Sequence, residues 1–193
     1  FSLSEAIDGA ARHYNSVFVI ILGSGCGGGL VINKKIVSGA NGLGGEWSLN
    51  QMPLKEIKSN IDNNGKFDFS QRIEGHLSGK SIEKNFNTLF KKKFTAKEIF
   101  SKYREKDTDA LNFINSYKKN LARGLVIIIT TIDPDAIVFG GGVSNEIDFL
   151  DELKKLSAKL LNEKNLKTVF LKPIYGDASG VRGAALLGRQ NLI

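Results

Sequence analysis

A cluster of five glycines lies between two β-branched runs, in Gly23-Ser24-Gly25-Cys26-Gly27-Gly28-Gly29. Glycine inside a regular element destabilises it by roughly 0.5–1 kcal/mol relative to alanine, so the cluster needs a reason. Without a Cβ, successive backbone N–H groups can face an anion and form a binding nest. The cluster lies between two strands, whereas the Rossmann and Walker glycine loops precede a helix. It therefore predicts a β-hairpin that cradles the phosphates of a nucleotide, with a tight, bulged hairpin as the structural alternative.

The predicted phosphate contacts are Gly23, Ser24, Gly25, Cys26 and Gly27, and the Ser24 hydroxyl adds a donor. A second glycine turn, Gly140-Gly141-Gly142, follows the apolar run Ile137–Phe139. Ligands of α/β sheets bind beyond the carboxyl ends of strands, where bare main chain would admit a flat purine or its ribose. Such turns are also common structural features. The second turn therefore predicts nucleotide binding only together with the first, as a bipartite site.

The elements that must position these turns follow a helix in the order three strands, helices, strand, helix, strand, helix. Hydrophobic periodicity and turn residues predict five strands, at Val17–Gly23, Leu30–Asn33, Lys35–Val37, Asp135–Ser144 and Thr168–Pro173. They predict helices at Phe1–His13, Ser81–Tyr103, Thr108–Thr131, Ile147–Leu161 and Ser179–Gln190. The polar tract Lys58–Gln71 is predicted to be a loop. With no second core or linker visible, this order predicts a single α/β domain over residues 1–193, a mixed sheet with helices on both faces.

Composition narrows the class of protein. The chain has 193 residues, of which 41% are hydrophobic and 24% charged, which is typical of a packed globular domain. No apolar run approaches the roughly 20 residues of a membrane span, and no signal peptide is visible. A single cysteine, Cys26, excludes an internal disulfide and favours a cytoplasmic protein. Because the chain begins at Phe1 and its one methionine is Met52, we expect it to be part of a longer protein.

The formal net charge is +7, with the densest basic runs at Lys91-Lys92-Lys93 and Lys118-Lys119. A basic balance is compatible with a solvated surface or with a polyanionic partner. No interleaved aromatic residues and no helix-turn-helix pattern accompany the lysines. We therefore do not predict nucleic-acid binding.

Four stretches together resemble the ROK family of sugar kinases and repressors, in the actin-like, ribonuclease-H-like ATPase superfamily. They are "SEAIDGAA", "ILGSGCGGGLVINKKIVSGANGLGGEW", "IDPDAIVFGGGVSN" and "GDASGVRGAALL". The resemblance spans nearly the whole chain, as the C-terminal half of such a protein. It is nearest to bacterial fructokinases and N-acetylglucosamine kinases. It implies a lobe of a kinase that uses ATP with Mg²⁺ to phosphorylate a hexose hydroxyl, and a homodimer.

The resemblance also assigns residue roles. The family's catalytic base is an aspartate that would lie just before Phe1, so no catalytic residue falls within this chain and the fragment alone should not turn over. Glu46 and Glu74 match the family's sugar-contacting glutamates. Carboxylates suit sugars because they accept charge-assisted hydrogen bonds from adjacent hydroxyls. Without the resemblance, each glutamate would be typical of a solvated surface.

The chain departs from the family at its structural zinc site, which uses one histidine and three cysteines. The matching positions here are Leu49, Gly65, Phe67 and Arg72. None of these side chains suits a tetrahedral zinc site, so we predict that the zinc is lost. His76 could replace the family's histidine, although a lone histidine near an apolar face is more typical of a structural role. Sugar affinity or specificity should differ accordingly.

Three functions remain open. The first is the lobe of a sugar kinase, which the phosphate hairpin favours. The second is the sugar-sensing effector half of a ROK repressor, with its helix-turn-helix further upstream. The third is a decayed paralogue retained as an oligomerisation module. Upstream sequence would separate them, because Asp-x-Gly-x-Thr followed by Asn-Asp indicates a kinase.

Overall fold

Five strands form one mixed sheet in the computed structural model, which describes residues 1–53, 71–176 and 178–190. The strands are β1 (Ser16–Leu22), β2 (Cys26–Ile32), β3 (Lys35–Val37), β4 (Ala136–Gly140) and β5 (Val169–Leu171). Their order across the sheet is β3-β2-β1-β4-β5. The first three strands form an antiparallel meander, whereas β4 and β5 run parallel to β1. The carboxyl ends of β1 and β4, each followed by a glycine turn, therefore meet at one edge.

Among the described residues, one helix precedes the three-strand meander, four lie between β3 and β4, and the rest follow β4 and β5. The helices are α1 (Ser2–Ile7), α2 (Glu74–Leu77), α3 (Gly79–Phe90), α4 (Ala96–Arg104), α5 (Thr108–Ile132), α6 (Gly142–Glu146), α7 (Leu150–Leu161) and α8 (Ala178–Gln190). Helices α1 and α8 pack against each other on one face of the sheet. The opposite face is covered by the larger group that includes α3, α4, α5 and α7. The prediction of helices on both faces is confirmed.

The central strand shows why the sheet is covered on both sides. In β1, Phe18, Ile20 and Leu22 face the larger helical layer, whereas Val17 and Val19 face α1 and α8. All five side chains are at most 1% exposed. A strand that is buried on both faces needs a continuous apolar run. Such a run in the sequence predicted β1.

Two predicted helices are interrupted. The helix predicted over residues 81–103 is two helices, because Lys91 takes a left-handed conformation (φ 53°) at the end of α3. Thr95 and Glu98 then form a capping box that starts α4. The helix predicted from Ile147 begins at Leu150 and is preceded by the separate helix α6. Buried Ile147 and Phe149 keep an apolar spacing that imitates a helix although the chain is extended at Ile147.

The first predicted helix ends early, and the second strand begins early. Helix α1 stops at Ile7, and the following turns are held by Lys34, whose Nζ donates to the carbonyl oxygens of Ala6, Arg12 and Tyr14. Strand β2 begins at Cys26, four residues before the predicted start, so three glycines lie inside the strand. The predicted loop Lys58–Gln71 lies outside the described residues except for Gln71.

Candidate nucleotide-binding site

The hairpin between β1 and β2 is a three-residue turn. Leu22 pairs with Cys26, which leaves Gly23, Ser24 and Gly25 in the turn. The Gly23 N–H donates to the Gly25 carbonyl oxygen at 3.0 Å. A Cβ on Gly23 would meet no atom within 4 Å, so its main chain borders open space. The turn is therefore free to contact a ligand.

Two of the five clustered glycines are explained by packing inside the protein. A Cβ on Gly28 would lie 2.7 Å from the Gly45 carbonyl oxygen and 2.8 Å from Cδ1 of Trp47. A Cβ on Gly29 would run into the Ser2 side chain. The loop before Trp47 thus lies directly on β2, and glycine is required because two backbones approach closely. The number of glycines in the sequence therefore suggested a longer ligand-accessible stretch than the structure shows.

Trp47 fixes this loop to β2. Its indole N–H donates to the Gly27 carbonyl oxygen at 2.9 Å. The ring is only 4% exposed, and its far edge would lie 2.8 Å from a Cβ on Gly124 of α5. The neighbouring residue, Glu46, is therefore held at a defined place beside the hairpin strand.

The two predicted sugar-contacting carboxylates both lie near the hairpin, in different settings. Glu74 Oε1 accepts the N–H of Cys26 at 3.3 Å, and a Cβ on Gly25 would lie 2.9 Å from the same oxygen. Glu46 is exposed and lines a cavity of about 220 Å³ between its own loop and the end of α5. Their role in sugar binding remains a prediction.

Glu74 and Glu46 both lie close enough to Cys26 to affect the pKa of its thiol. Burial raises the pKa of its thiol, and the negative charges of Glu74 and then Glu46 raise it further. The thiol is therefore protonated at neutral pH, and a protonated thiol is a poor nucleophile. Cys26 contributes a small buried side chain and a backbone N–H to the hairpin.

The two glycine turns border one open cleft of about 500 Å³. Gly23 and Ser24 line it from the hairpin, and Gly142 and Val143 line it from the start of α6. A Cβ on Gly142 would meet no atom within 4 Å. The structure thus brings together the two turns that the sequence linked only by hypothesis.

The other two glycines of the second turn face the protein interior. A Cβ on Gly140 would lie 2.5 Å from the ring of Phe1. Gly141 has φ +88°, which favours glycine, and its Cβ would lie 2.5 Å from the Leu22 carbonyl oxygen. Packing accounts for both residues, and their assignment to nucleotide contacts remains a prediction.

Several residues of the cleft were not predicted from the sequence. The Gly79 N–H donates to the Gly23 carbonyl oxygen at 2.7 Å, which fixes the start of α3 against the hairpin. Ser78 caps this helix by accepting the Ser81 N–H. A serine just before a helix was the available signal. The remaining lining residues are Gly79, Lys80, Glu83, Ala96, Lys97 and Glu146.

The described part of the family's zinc position offers no zinc ligand. Leu49 has a hydrocarbon side chain that is 40% exposed, and Arg72 is cationic. Gly65 and Phe67 lie outside the described residues. Across residues 1–53, 71–176 and 178–190, no group of three or more His, Cys, Asp or Glu side chains could hold a metal ion. The residue types at the four matching positions do not suit zinc, and the loss of the zinc remains a prediction.

Among the helices that the structure describes, none combines the length and apolar character needed to cross a bilayer.

Comparison with known proteins places this arrangement in a family. The ROK family model matches residues 1–191. The N-acetyl-D-glucosamine kinase of Mannheimia succiniciproducens is 39% identical over 194 residues, and that of Yersinia enterocolitica is 35% identical over 198. Each alignment covers 97% of this chain and 63% of the relative. The chain thus spans less than two thirds of the relatives' length.

Solved structures share the fold. The ROK family glucokinase of Streptomyces griseus, in complex with glucose and AMPPNP, superposes with a TM-score of 0.79 at 24% identity, covering 97% of this chain and 65% of that one. A ROK family transcriptional regulator gives a TM-score of 0.75 at 18% identity, covering 97% of this chain and 49% of that one. The predicted actin-like ATPase fold is confirmed, and the family match over nearly the full length confirms the resemblance drawn from the motifs. This chain belongs to the ROK family.

Proposed function

We propose that this chain is the carboxy-terminal lobe of an ATP-dependent kinase that phosphorylates a hydroxyl of a hexose, with N-acetylglucosamine as the first candidate. The observation that carries the proposal is the shared cleft, in which the open hairpin turn at Gly23 faces the open turn at Gly142. A ligand with an anionic tail and a flat head fits that pairing. The N-acetyl-D-glucosamine kinases among the relatives support the choice of sugar.

The phosphate end of the site depends on main-chain groups. ATP enters as its Mg²⁺ complex, and the metal offsets charge on the phosphates. The turn supplies the backbone N–H groups of Ser24 and Gly25 and the Ser24 hydroxyl toward them, because the Gly23 N–H already donates to the Gly25 carbonyl oxygen. Because Gly79 bonds to Gly23, these donors are held in place before ATP binds. Such fixed dipoles stabilise developing charge without reorganisation during transfer.

The sugar end depends on the two carboxylates. Glu74 keeps Oε1 on the Cys26 N–H, and within the described residues its Oε2 has no hydrogen-bond partner. Glu46 is exposed on the loop that Trp47 anchors. Both can accept hydrogen bonds from sugar hydroxyls and so hold the acceptor near the phosphates. The proton of the reacting hydroxyl would pass to the aspartate that the family places before Phe1, on a preceding segment.

The sugar-sensing half of a ROK repressor is the second candidate, since a regulator shares this fold. A sensor does not need an open phosphate turn, and that turn favours the kinase. We also propose a cytoplasmic homodimer. The cytoplasmic location rests on the single cysteine and on the need for ATP, and the dimer on the family resemblance.

A coupled phosphorylation assay on the complete protein that carries this chain tests the proposal. N-acetylglucosamine, N-acetylmannosamine, glucose and fructose are offered separately with MgATP. We expect ADP release that depends on one of these sugars, together with ATP binding to the 193-residue chain in a calorimetric titration. Sugar binding without any phosphorylation would instead support the sensor. Failure to bind ATP would overturn the kinase proposal.

A further inference from the structure

Four charged side chains line the cleft between the two glycine turns. Lys80 and Glu83 extend from the first turns of α3, Lys97 extends from the first turn of α4, and Glu146 from the end of α6. Two lysines and two glutamates would by themselves leave the cleft with no net charge to attract an anion. Within the described residues, however, the glutamates have hydrogen-bond or ion-pair partners, and the lysines do not.

Both carboxylates have partners. Glu83 Oε1 accepts the Ala96 N–H at 2.9 Å, at the N-terminus of α4, where the helix dipole offsets negative charge. Glu146 Oε2 pairs with Nη2 of Arg104 at 2.8 Å, with the side chains 19% and 42% exposed. Arg104 thus brings a cation from α4 to the carboxylate on α6. The negative charge at this wall of the cleft is compensated.

Neither lysine has such a partner. Lys80 and Lys97 are exposed, and no ion pair or hydrogen bond involves their ammonium groups within the described part of the chain. Each ammonium carries three donors. The cleft therefore offers two free cations beside the Gly23–Gly25 turn, while its acids are engaged elsewhere.

We infer that Lys80 and Lys97 bind the phosphate groups of the nucleotide, and that Arg104 keeps the cleft attractive to anions by neutralising Glu146. The inference rests on the proposed function, since it names further binding residues for the same nucleotide. It explains why the cleft combines an uncharged glycine turn with lysines from two neighbouring helices. Lys80 and Lys97 act on the ligand directly, and Arg104 is a positioning residue.

Calorimetric titration with adenosine, AMP, ADP and ATP separates this role from a structural one. Lys80→Ala and Lys97→Ala should each weaken ATP binding about two- to fivefold, as expected for exposed ion pairs. The loss should shrink from ATP to AMP and vanish for adenosine. Lys92→Ala removes the same charge from an exposed site outside the cleft and should change ATP affinity by less than either variant.

Arg104→Ala gives a second arm. It removes the cation that pairs with Glu146 and leaves that carboxylate less compensated, so ATP should bind more weakly while adenosine binding is unchanged. Adding Glu146→Gln to Arg104→Ala removes that charge and should restore ATP affinity. Loss that is equal for adenosine and ATP, or no recovery in the double variant, would overturn the inference. If the unaltered chain binds no ATP, both the proposed function and the inference are wrong. If it binds ATP but the lysine variants bind ATP as tightly as the unaltered chain does, only the inference is wrong.

Discussion

The indole N–H of Trp47 donates to the carbonyl oxygen of Gly27 at 2.9 Å, which joins the loop of Glu46 to the strand that leaves the hairpin. The ring is buried between Gly28 of that strand and Gly124 of α5. The proposed sugar contact and the proposed phosphate turn are therefore joined through the Trp47 ring and its hydrogen bond.

Replacing Trp47 by phenylalanine tests this connection. Trp47→Phe keeps an aromatic ring but removes the N–H donor, and we expect the free energy of unfolding to fall by about 1 kcal/mol. The KM for the sugar should rise, because Glu46 loses its anchor. Trp47→Ala also leaves a cavity and should cost roughly 3–5 kcal/mol. Urea denaturation and steady-state kinetics measure both effects. An unchanged sugar KM in Trp47→Phe at reduced stability would show that the bond does not position Glu46.

Gly23 and Gly28 should respond in opposite ways to alanine. In Gly28→Ala the new Cβ meets the Gly45 backbone and the Trp47 ring, neither of which can rotate away, so we expect a stability loss of about 1–3 kcal/mol. In Gly23→Ala the Cβ meets no protein atom, so stability should be nearly unchanged. ATP affinity should nevertheless fall in Gly23→Ala, because Gly23 lines the cleft. Thermal unfolding and nucleotide titration of both variants give the comparison. Equal ATP affinity in Gly23→Ala and the unaltered protein would contradict a phosphate role for this turn.

This contrast shows what the sequence could and could not predict. The apolar run of β1 identified a central strand, because a strand buried on both faces needs such a run. The open turn at Gly23 was predicted from its composition. The packing that requires glycine at position 28 was not predicted, because it depends on a loop that begins more than ten residues later in the chain. The same holds for the cleft lysines, which α3 and α4 bring to the hairpin through tertiary packing.

Glu5 connects the two ends of the described chain. It is fully buried, and its carboxylate accepts the N–H of Ala10 at 2.8 Å, the N–H of Ile174 at 3.3 Å and the hydroxyl of Ser179 at 2.5 Å. Glu5→Ala would leave these donors unsatisfied in the interior, and we expect a loss of roughly 3 kcal/mol or more. Hydrogen exchange of α8 should accelerate, because its first turn loses its contact with α1.

Glu5→Gln is the matched control. The amide oxygen can still accept the two N–H groups, and the amide nitrogen can donate to the Ser179 hydroxyl. We expect Glu5→Gln to cost less than Glu5→Ala in urea denaturation. If both variants lose the same stability, the carboxylate charge rather than the hydrogen-bond pattern matters at this site.

Asp135 should make stability depend on pH in the acid range. Its Oδ2 accepts the N–H of Ser16 at 2.9 Å and that of Asn15 at 3.1 Å. The Ser16 N–H, then the Ser16 hydroxyl and then the Asn15 N–H lower the pKa of Asp135 in the folded state. The unfolded chain therefore takes up this proton at higher pH than the folded chain. The resulting stability is fully present above the unfolded pKa of about 4 and is lost as pH falls through the folded pKa.

Asp135→Asn should be less stable at pH 7, and its free energy of unfolding should fall less steeply below pH 4. Denaturant titrations from pH 2 to 7 measure this, and parallel curves for the two proteins would contradict it.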